Sequence, residues 1–268
     1  MTSNERGSPA LVVEGVELRY GGLTALRGVD LTVHHGQVDG LIGPNGAGKT
    51  SLFDVVTGLT RPTQGRILLD GHDITSKSAT RRARLGLART FQRLELFSSL
   101  TVRENIQVAA EATRSLGRTG SRSAEAFTTA QLARTGLTPV ASVRVDTLPT
   151  GIARIVEVAR ALASEPTVLL LDEPASGLDP PESEALARLL DTLAADGLAV
   201  LLVEHDVDLV IRTCATLTVL DRGRVIASGD PGDVQRSAAV QQAYLGPVYD
   251  IPAPAEDRPE PAVSEASP

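Results

Sequence analysis

Residues 38–51 read VDGLIGPNGAGKTS, a short apolar run followed by glycines and then by Lys49, Thr50 and Ser51. From Gly43 onward the spacing is G-x-x-x-x-G-K-[ST], set directly between a predicted strand and a predicted helix, the context in which that spacing carries chemical meaning. Gly43, Gly46 and Gly48 allow the backbone to curl until its N–H groups face a phosphate, and the dipole of the following helix adds positive potential at the same point. Lys49 is placed to reach the β- and γ-phosphates of a nucleotide, and Thr50 offers a hydroxyl to Mg2+. Pro44, Asn45, Ala47 and Ser51 complete the loop.

Two other runs share the unbroken apolar character of residues 38–43. TVLLLD (167–172) and LAVLLVE (198–204) are each followed by a segment of helical period, the pattern of a parallel sheet covered on both faces. Ahead of them, LVVEGVELRY, LRGVDLTV and RILLD predict a small, largely antiparallel sheet. Between Gln92 and Gly151 the strand signal gives way to helix formers, with loop residues at RSLGRTGSRS, so an inserted helical subdomain is expected over about residues 93–163. The expected fold is an α/β P-loop core over residues 10–246, carrying both subdomains. Residues 1–9 are polar and residues 247–268 are rich in Pro, Ala and acid, so both ends are expected to be disordered tails.

Composition narrows the function classes. The 268 residues are 42% hydrophobic and 22% charged with a net charge of -7, which argues against a nucleic acid or anionic membrane held by bulk charge. The longest apolar run, LAVLLV (198–203), falls well short of the roughly 18 residues of a membrane span, and MTSNERGSPA lacks the apolar core of a signal peptide. A cytosolic chain is expected. Cys214 is the single cysteine, which excludes an intrachain disulfide, and its apolar surroundings read as those of a small buried hydrophobe.

A second acid-bearing motif is VLLLDEP (168–174), whose Asp172 and Glu173 stand at the carboxyl end of a core strand, where α/β sheets place their ligands. Asp172 is expected to hold Mg2+ through its water shell. Glu173 is expected to orient and polarise the attacking water, a role worth roughly 10²- to 10⁴-fold in rate. His205 follows LLVE at the end of another core strand, in position to sense a γ-phosphate. Tyr20 closes the first strand just before two glycines and offers a ring face to an adenine. Each residue has a plainer reading when taken singly: a flexible glycine turn, a pair of capping acids, a structural histidine, a sheet-packing tyrosine. The neighbouring His34 and His35 point to opposite sides of the chain, which disfavours a metal site there.

Taken together and in this order, the motifs resemble those of the ATP-binding-cassette ATPases over nearly all of residues 10–246. Tyr20 matches the adenine-stacking aromatic, residues 43–51 the Walker A loop, Gln92 in TFQ the Q-loop and residues 148–152 the signature. Asp172 and Glu173 match the Walker B pair, Asp179 in SGLD the D-loop, and His205 the switch histidine. GLARTFQRLELFSSLTVREN (86–105) and AYLG (243–246) look like the ATPase subunits of branched-chain amino acid importers.

The resemblance implies ATP and Mg2+ as ligands, the metal lying among Thr50, Gln92 and Asp172, with Lys49, Gln92, Glu173 and His205 carrying catalysis. It implies a second ATPase subunit meeting this one head to tail, so that Pro149, Thr150, Gly151 and Asp179 contact the nucleotide bound to the partner. Two transmembrane permease subunits follow from the same likeness, docking near Leu94 to Phe97, together with an extracytoplasmic substrate-binding protein, no nucleic acid, and a place on the cytoplasmic face of the membrane. The competing readings are a lipid-exporting system with the same motor, a soluble cassette of DNA repair or translation, and an unrelated P-loop kinase. The long coiled coils or second cassette of the soluble types are missing, and a kinase would lack the ordered set of Gln92, Gly151, Glu173 and His205.

Two departures stand out. The family signature is Leu-Ser-Gly-Gly-Gln, whereas this chain has Leu148, Pro149, Thr150, Gly151 and Ile152. Pro149 has neither N–H nor hydroxyl, and Thr150, a good N-cap residue, is expected to take the place of the serine. The helix behind keeps an apolar stripe at Ile152, Ile155, Val156 and Ala159. Asp39 falls where the strand should be apolar, and a carboxylate buried there needs hydrogen-bond donors or a proton.

Overall fold

The computed structural model describes residues 7–115 and 123–245. The chain opens with β1 (Pro9–Tyr20), β2 (Leu23–His34), β3 (Val38–Ile42) and α1 (Lys49–Thr57), then β4 (Gln64–Leu69), β5 (His72–Asp73), α2 (Ala79–Leu85) and the three-residue β6 (Leu87–Arg89). Three helices follow, α3 (Val102–Ser115), α4 (Ala124–Arg134) and α5 (Thr150–Leu162). The chain then alternates through β7 (Val168–Asp172), α6 (Pro180–Ala195), β8 (Ala199–Val203), α7 (Val207–Thr213) and β9 (Thr216–Asp221). It ends with β10 (Arg224–Gly229), α8 (Pro231–Gln235) and α9 (Ala238–Leu245).

These strands form two sheets, one of order β2-β1-β4-β5 and antiparallel, the other of order β10-β9-β3-β8-β7-β6. In the second sheet β3, β8, β7, β6 and β9 run parallel, and only the edge strand β10 is antiparallel. Every residue of β3, β7 and β8 is buried, which explains the apolar runs of β7 and β8 and makes Asp39 the exception in β3. Side chains alternate between faces. Val168 and Leu170 of β7 join a core that includes α1 and the antiparallel sheet, while Leu169 and Leu171 join one built with α6 and α7. A third core, centred on Val102, Ile106, Phe127, Leu132 and Val156, holds α3, α4 and α5 together in the span expected to be helical.

Strand β1 starts inside the stretch 1–9 that was expected to be a tail. Pro9 pairs with His34, and the carbonyl of Ser8 accepts the His35 N–H at 3.0 Å. Backbone pairing of this kind draws on carbonyls that every residue carries, so polar composition does not exclude it. Residues 1–6 and the tail expected over 247–268 lie outside the described residues.

Asp39 has a structural explanation. Only 2% exposed, it sits on β3 between β8 and β9, and its carboxylate accepts the His34 N–H at 2.8 Å, with His34 Nδ1 at 3.3 Å. Burial raises its pKa, an effect opposed by the His34 contacts and the Thr216 hydroxyl. It therefore fastens the turn between β2 and β3. His35 turns elsewhere and places Nε2 2.7 Å from Asp70 Oδ1. Cys214 is buried, and burial pushes its thiol up to about 12, which suits a packing role.

Candidate active site

The loop between β3 and α1 is shaped by close backbone packing. Gly43 has φ 156°, and a Cβ there would lie 2.1 Å from the carbonyl oxygen of Leu220, so no other residue fits without moving β9. Gly48 is the N-cap of α1 with φ 110° and no side-chain cap, which leaves the first N–H groups of the helix to a ligand. Lys49 is buried, and its Nζ donates to the carbonyls of Gly43 at 2.6 Å and Pro44 at 3.2 Å. Burial lowers its pKa, while Glu173 and Asp172 act in the opposite direction.

A cleft of about 640 Å³ opens over this loop. Asn45, Gly46, Ala47, Gly48, Lys49, Thr50 and Ser51 line it together with Tyr20, Gln92, Asp172 and Glu173, residues from four separate parts of the chain. Gly43 and Pro44 lie behind it, turning their carbonyls to Lys49. Tyr20 is 48% exposed, its ring free to meet a flat ligand. The sequence reading missed Arg27 and Arg222, two cations on the same wall.

Glu173 is the most constrained residue of the site. It follows β7 with φ 52°, a conformation uncommon outside glycine, and its N–H donates to the Val203 carbonyl at 2.9 Å. Its Oε1 lies 2.8 Å from His205 Nε2, and its Oε2 accepts from Gln92 Nε2 at 3.2 Å. His205 thus meets Glu173 directly. Glu204, buried just before it, was also missed: its carboxylate accepts the Ala175 N–H at 2.6 Å and the His205 N–H at 3.1 Å, bracing the backbone on both sides of the pair.

Thr50, Asp172 and Gln92 present hydroxyl, carboxylate and amide oxygens to one cleft, a hard donor set that fits Mg2+. Among the described residues no three His, Cys, Asp or Glu side chains cluster as a metal cage. Such a donor set suits an ion whose remaining ligands are water and phosphate oxygens.

The signature residues lie apart from the cleft. Pro149, extended at φ −55° and ψ 149°, is the N-cap of α5 and makes no side-chain cap, so Thr150 is the first helical residue and not the expected cap. The reason is local: proline holds Leu148 extended, and the Pro149 carbonyl already accepts the Ala153 N–H at 3.0 Å, so the helix starts at the proline and Thr150 lies within it. The Thr150 side chain is left exposed. Gly151 packs on Glu182, whose carboxylate would lie 2.3 Å from a Cβ at position 151. Glu182 in turn forms a reciprocal capping box with Asp179 at the start of α6. The fold therefore brings Thr150 and Asp179 to one surface, with Gly151 buried beside them against Glu182.

The model of the ABC transporter family matches residues 26–176. The chain belongs to the ABC transporter ATPases. A second family, described as branched-chain amino acid ATP-binding cassette transporter, matches residues 224–246. Among similar proteins, the high-affinity branched-chain amino acid transport ATP-binding protein BraF of Pseudomonas aeruginosa is 39% identical over 250 residues, covering 89% of this chain and 98% of that protein. LivG of Salmonella typhimurium, with the same description, is 37% identical with the same coverage. A solved structure of the ADP conformation of an ATP-binding cassette of an ABC transporter has 28% identity and a TM-score of 0.80, covering 89% of this chain and 99% of that one.

As an ABC ATPase the chain binds nucleotide and hydrolyses ATP to drive transport, and subunits of this kind work as dimers with permease subunits. None of its described helices is long and apolar enough to cross a membrane.

Proposed function

We propose that this ATPase powers uptake of branched-chain or related amino acids, working at the cytoplasmic face of the membrane with a substrate-binding protein on the far side. The observation that carries the reading is the likeness at residues 224–246, which build β10, α8 and α9 and lie outside the nucleotide-binding motifs. Likeness there separates one kind of transporter from the many that share a motor.

In the proposed reaction the phosphate loop and Lys49 hold the β- and γ-phosphates, and Tyr20 stacks on the adenine. Glu173 draws on a proton of the attacking water as the water oxygen bonds to the γ-phosphorus and the bond to the β-phosphate oxygen breaks, releasing ADP. His205 and Gln92 hold the two carboxylate oxygens and so fix where that water stands. Thr50, Asp172 and Gln92 would hold Mg2+, which supplies neutralisation of charge on the phosphates. Thr150, Gly151 and Asp179 serve the nucleotide of the partner subunit. Phe91, Leu94 and Phe97, all exposed in the stretch around Gln92, offer the permease an apolar dock.

The test is reconstitution of the ATPase with its two permease subunits in vesicles, with the binding protein added outside. ATP-dependent accumulation of radiolabelled leucine, isoleucine or valine is expected. Accumulation of an unrelated solute without these three would overturn the amino acid reading and leave the ATPase assignment standing.

A further inference from the structure

Arg89 lies on β6, three residues before Gln92, and its side chain is only 6% exposed. Its guanidinium spans two carboxylates: Nη2 donates to Asp172 Oδ2 at 2.9 Å and Nη1 to Asp54 Oδ1 at 2.6 Å. Asp54 belongs to α1, the helix that begins at Lys49. The Phe53 and Phe91 rings flank the cation, their centroids 5.2 Å and 5.1 Å from Cζ. Among the described residues the buried Nε has no hydrogen-bond partner, so the orientation rests on the two carboxylates and the two rings. Next to it, the Thr90 hydroxyl accepts the Asp172 N–H at 3.3 Å, and Thr90 N–H donates to Leu170.

We propose that Arg89 is a positioning residue for magnesium-dependent nucleotide binding: it fixes the rotation of the Asp172 carboxylate, engaging Oδ2 and leaving Oδ1 to the ion's water shell. The inference rests on the reading that Asp172 serves Mg2+. A planar fork is needed because one rigid cation sets the distance between Asp54 on the phosphate-loop helix and Asp172 at the end of β7; a lysine ammonium has neither the fork nor the flat faces. The arrangement joins the three segments whose relative placement defines the metal site: α1 through Asp54, β7 through Asp172, and the approach to Gln92 through Arg89 itself. Outer partners of this kind typically change metal affinity about 10- to 100-fold when removed.

Two simpler roles for Arg89 make opposite predictions. A purely packing residue would affect melting temperature and leave metal dependence alone. A counter-ion competing with the metal would, once removed, let Mg2+ bind more tightly.

The experiment uses full-length protein and four variants, Arg89→Lys, Arg89→Gln, Asp54→Asn and Asp172→Asn. ATP affinity is measured by calorimetric titration with Mg2+ and with chelator, alongside the Mg2+ concentration for half-maximal turnover and the melting temperature. With chelator, Arg89→Lys, Arg89→Gln and Asp54→Asn are expected to bind ATP within about twofold of the parent, since Lys49 and the loop are intact. With Mg2+, Arg89→Gln should lose about tenfold of the metal-dependent gain in affinity and need about tenfold more Mg2+, Arg89→Lys should fall between, and Asp54→Asn should shift less in the same direction. If Arg89→Gln does not fold, Arg89→Lys and Asp54→Asn carry the same comparison. Unchanged metal dependence with a lowered melting temperature would reduce Arg89 to packing, and a reduced Mg2+ requirement would make it a competing counter-ion; either overturns the proposal. An Asp172→Asn variant with unaltered metal dependence would instead remove the reading of Asp172 on which the proposal stands.

Discussion

His205 Nε2 stands 2.8 Å from Glu173 Oε1 while Gln92 Nε2 donates to Oε2, so one strained carboxylate is held from both sides. A carboxylate only accepts hydrogen bonds, so with Glu173 ionised the imidazole proton is on Nε2. Both oxygens are oriented by protein groups, which would lower the cost of reaching the geometry proposed for the attacking water.

Glu173→Gln keeps the shape and the backbone strain but removes the carboxylate proposed to polarise the water. ATP binding should persist while turnover falls by roughly two orders of magnitude or more, read from equilibrium titration and steady-state phosphate release. Turnover near the parent rate would exclude Glu173 from the role proposed for it.

Thr150 carries an exposed side chain at the first turn of α5. If its hydroxyl serves the partner's nucleotide, Thr150→Val should leave the melting temperature of the isolated subunit unchanged. ATPase activity of the assembled transporter should drop about 5- to 30-fold, the scale of one hydrogen bond to a charged group less compensation by water. Equal rates in the two proteins, with Pro149→Ser raising activity several-fold, would identify this helix end as a weak half-site.

Gly151→Ala is expected to destabilise the subunit by about 1 kcal/mol, because the new methyl displaces Glu182 and breaks the capping box on α6. In a Glu182→Ala background the same change should cost little. Chemical denaturation of the four proteins of this cycle measures the coupling, and identical costs in both backgrounds would remove Glu182 as the reason for the glycine. Any loss of transporter ATPase that remains in the double variant reports contact with the partner's nucleotide.

Burial raises the Glu204 carboxyl above its usual 4.5, despite hydrogen bonds from the Ala175 and His205 N–H groups. The native protein then holds a proton that the unfolded chain has already released, so this contribution to stability is fully present below 4.5 and is lost as pH rises through the raised value. Glu204→Gln should flatten that part of the fall in melting temperature. Asp39 and Glu157 shift in the same direction and keep the remainder. A pH profile parallel to that of the parent protein would contradict this sign.

The antiparallel hairpin, the buried parallel strands and the phosphate loop were all readable from the chain, because each depends on residues close together in sequence. Period-2 and solid apolar runs report how many faces of a strand are covered, and the glycines of residues 43–51 report a backbone that must curl within a single turn. Shorter or edge elements were harder. β6 has three residues, one of them Arg89, and becomes a strand only because β7 lies beside it. Cap preference at Thr150 places the start of α5 one residue too late: Pro149, extended after Leu148, already offers its carbonyl to the Ala153 N–H, so Thr150 is inside the helix.

Asp39 looked like an anomaly in one dimension and is a satisfied acceptor in three, since its donors come from His34 at the end of β2 and its burial from β8 and β9. Arg89 and Glu204 carry no motif, and their partners show why. Arg89 reaches Asp172 across 83 residues, Gln92 reaches Glu173 across 81, and the Ala175 N–H reaches Glu204 across 29. Sequence alone named the candidate groups for phosphate and water, because that chemistry is written in residue type and short spacing. Which carboxylate each cation holds, and which oxygen it leaves free, was settled by tertiary structure, because a buried charge takes its partner from whatever the packed sheet and helices bring within hydrogen-bond reach.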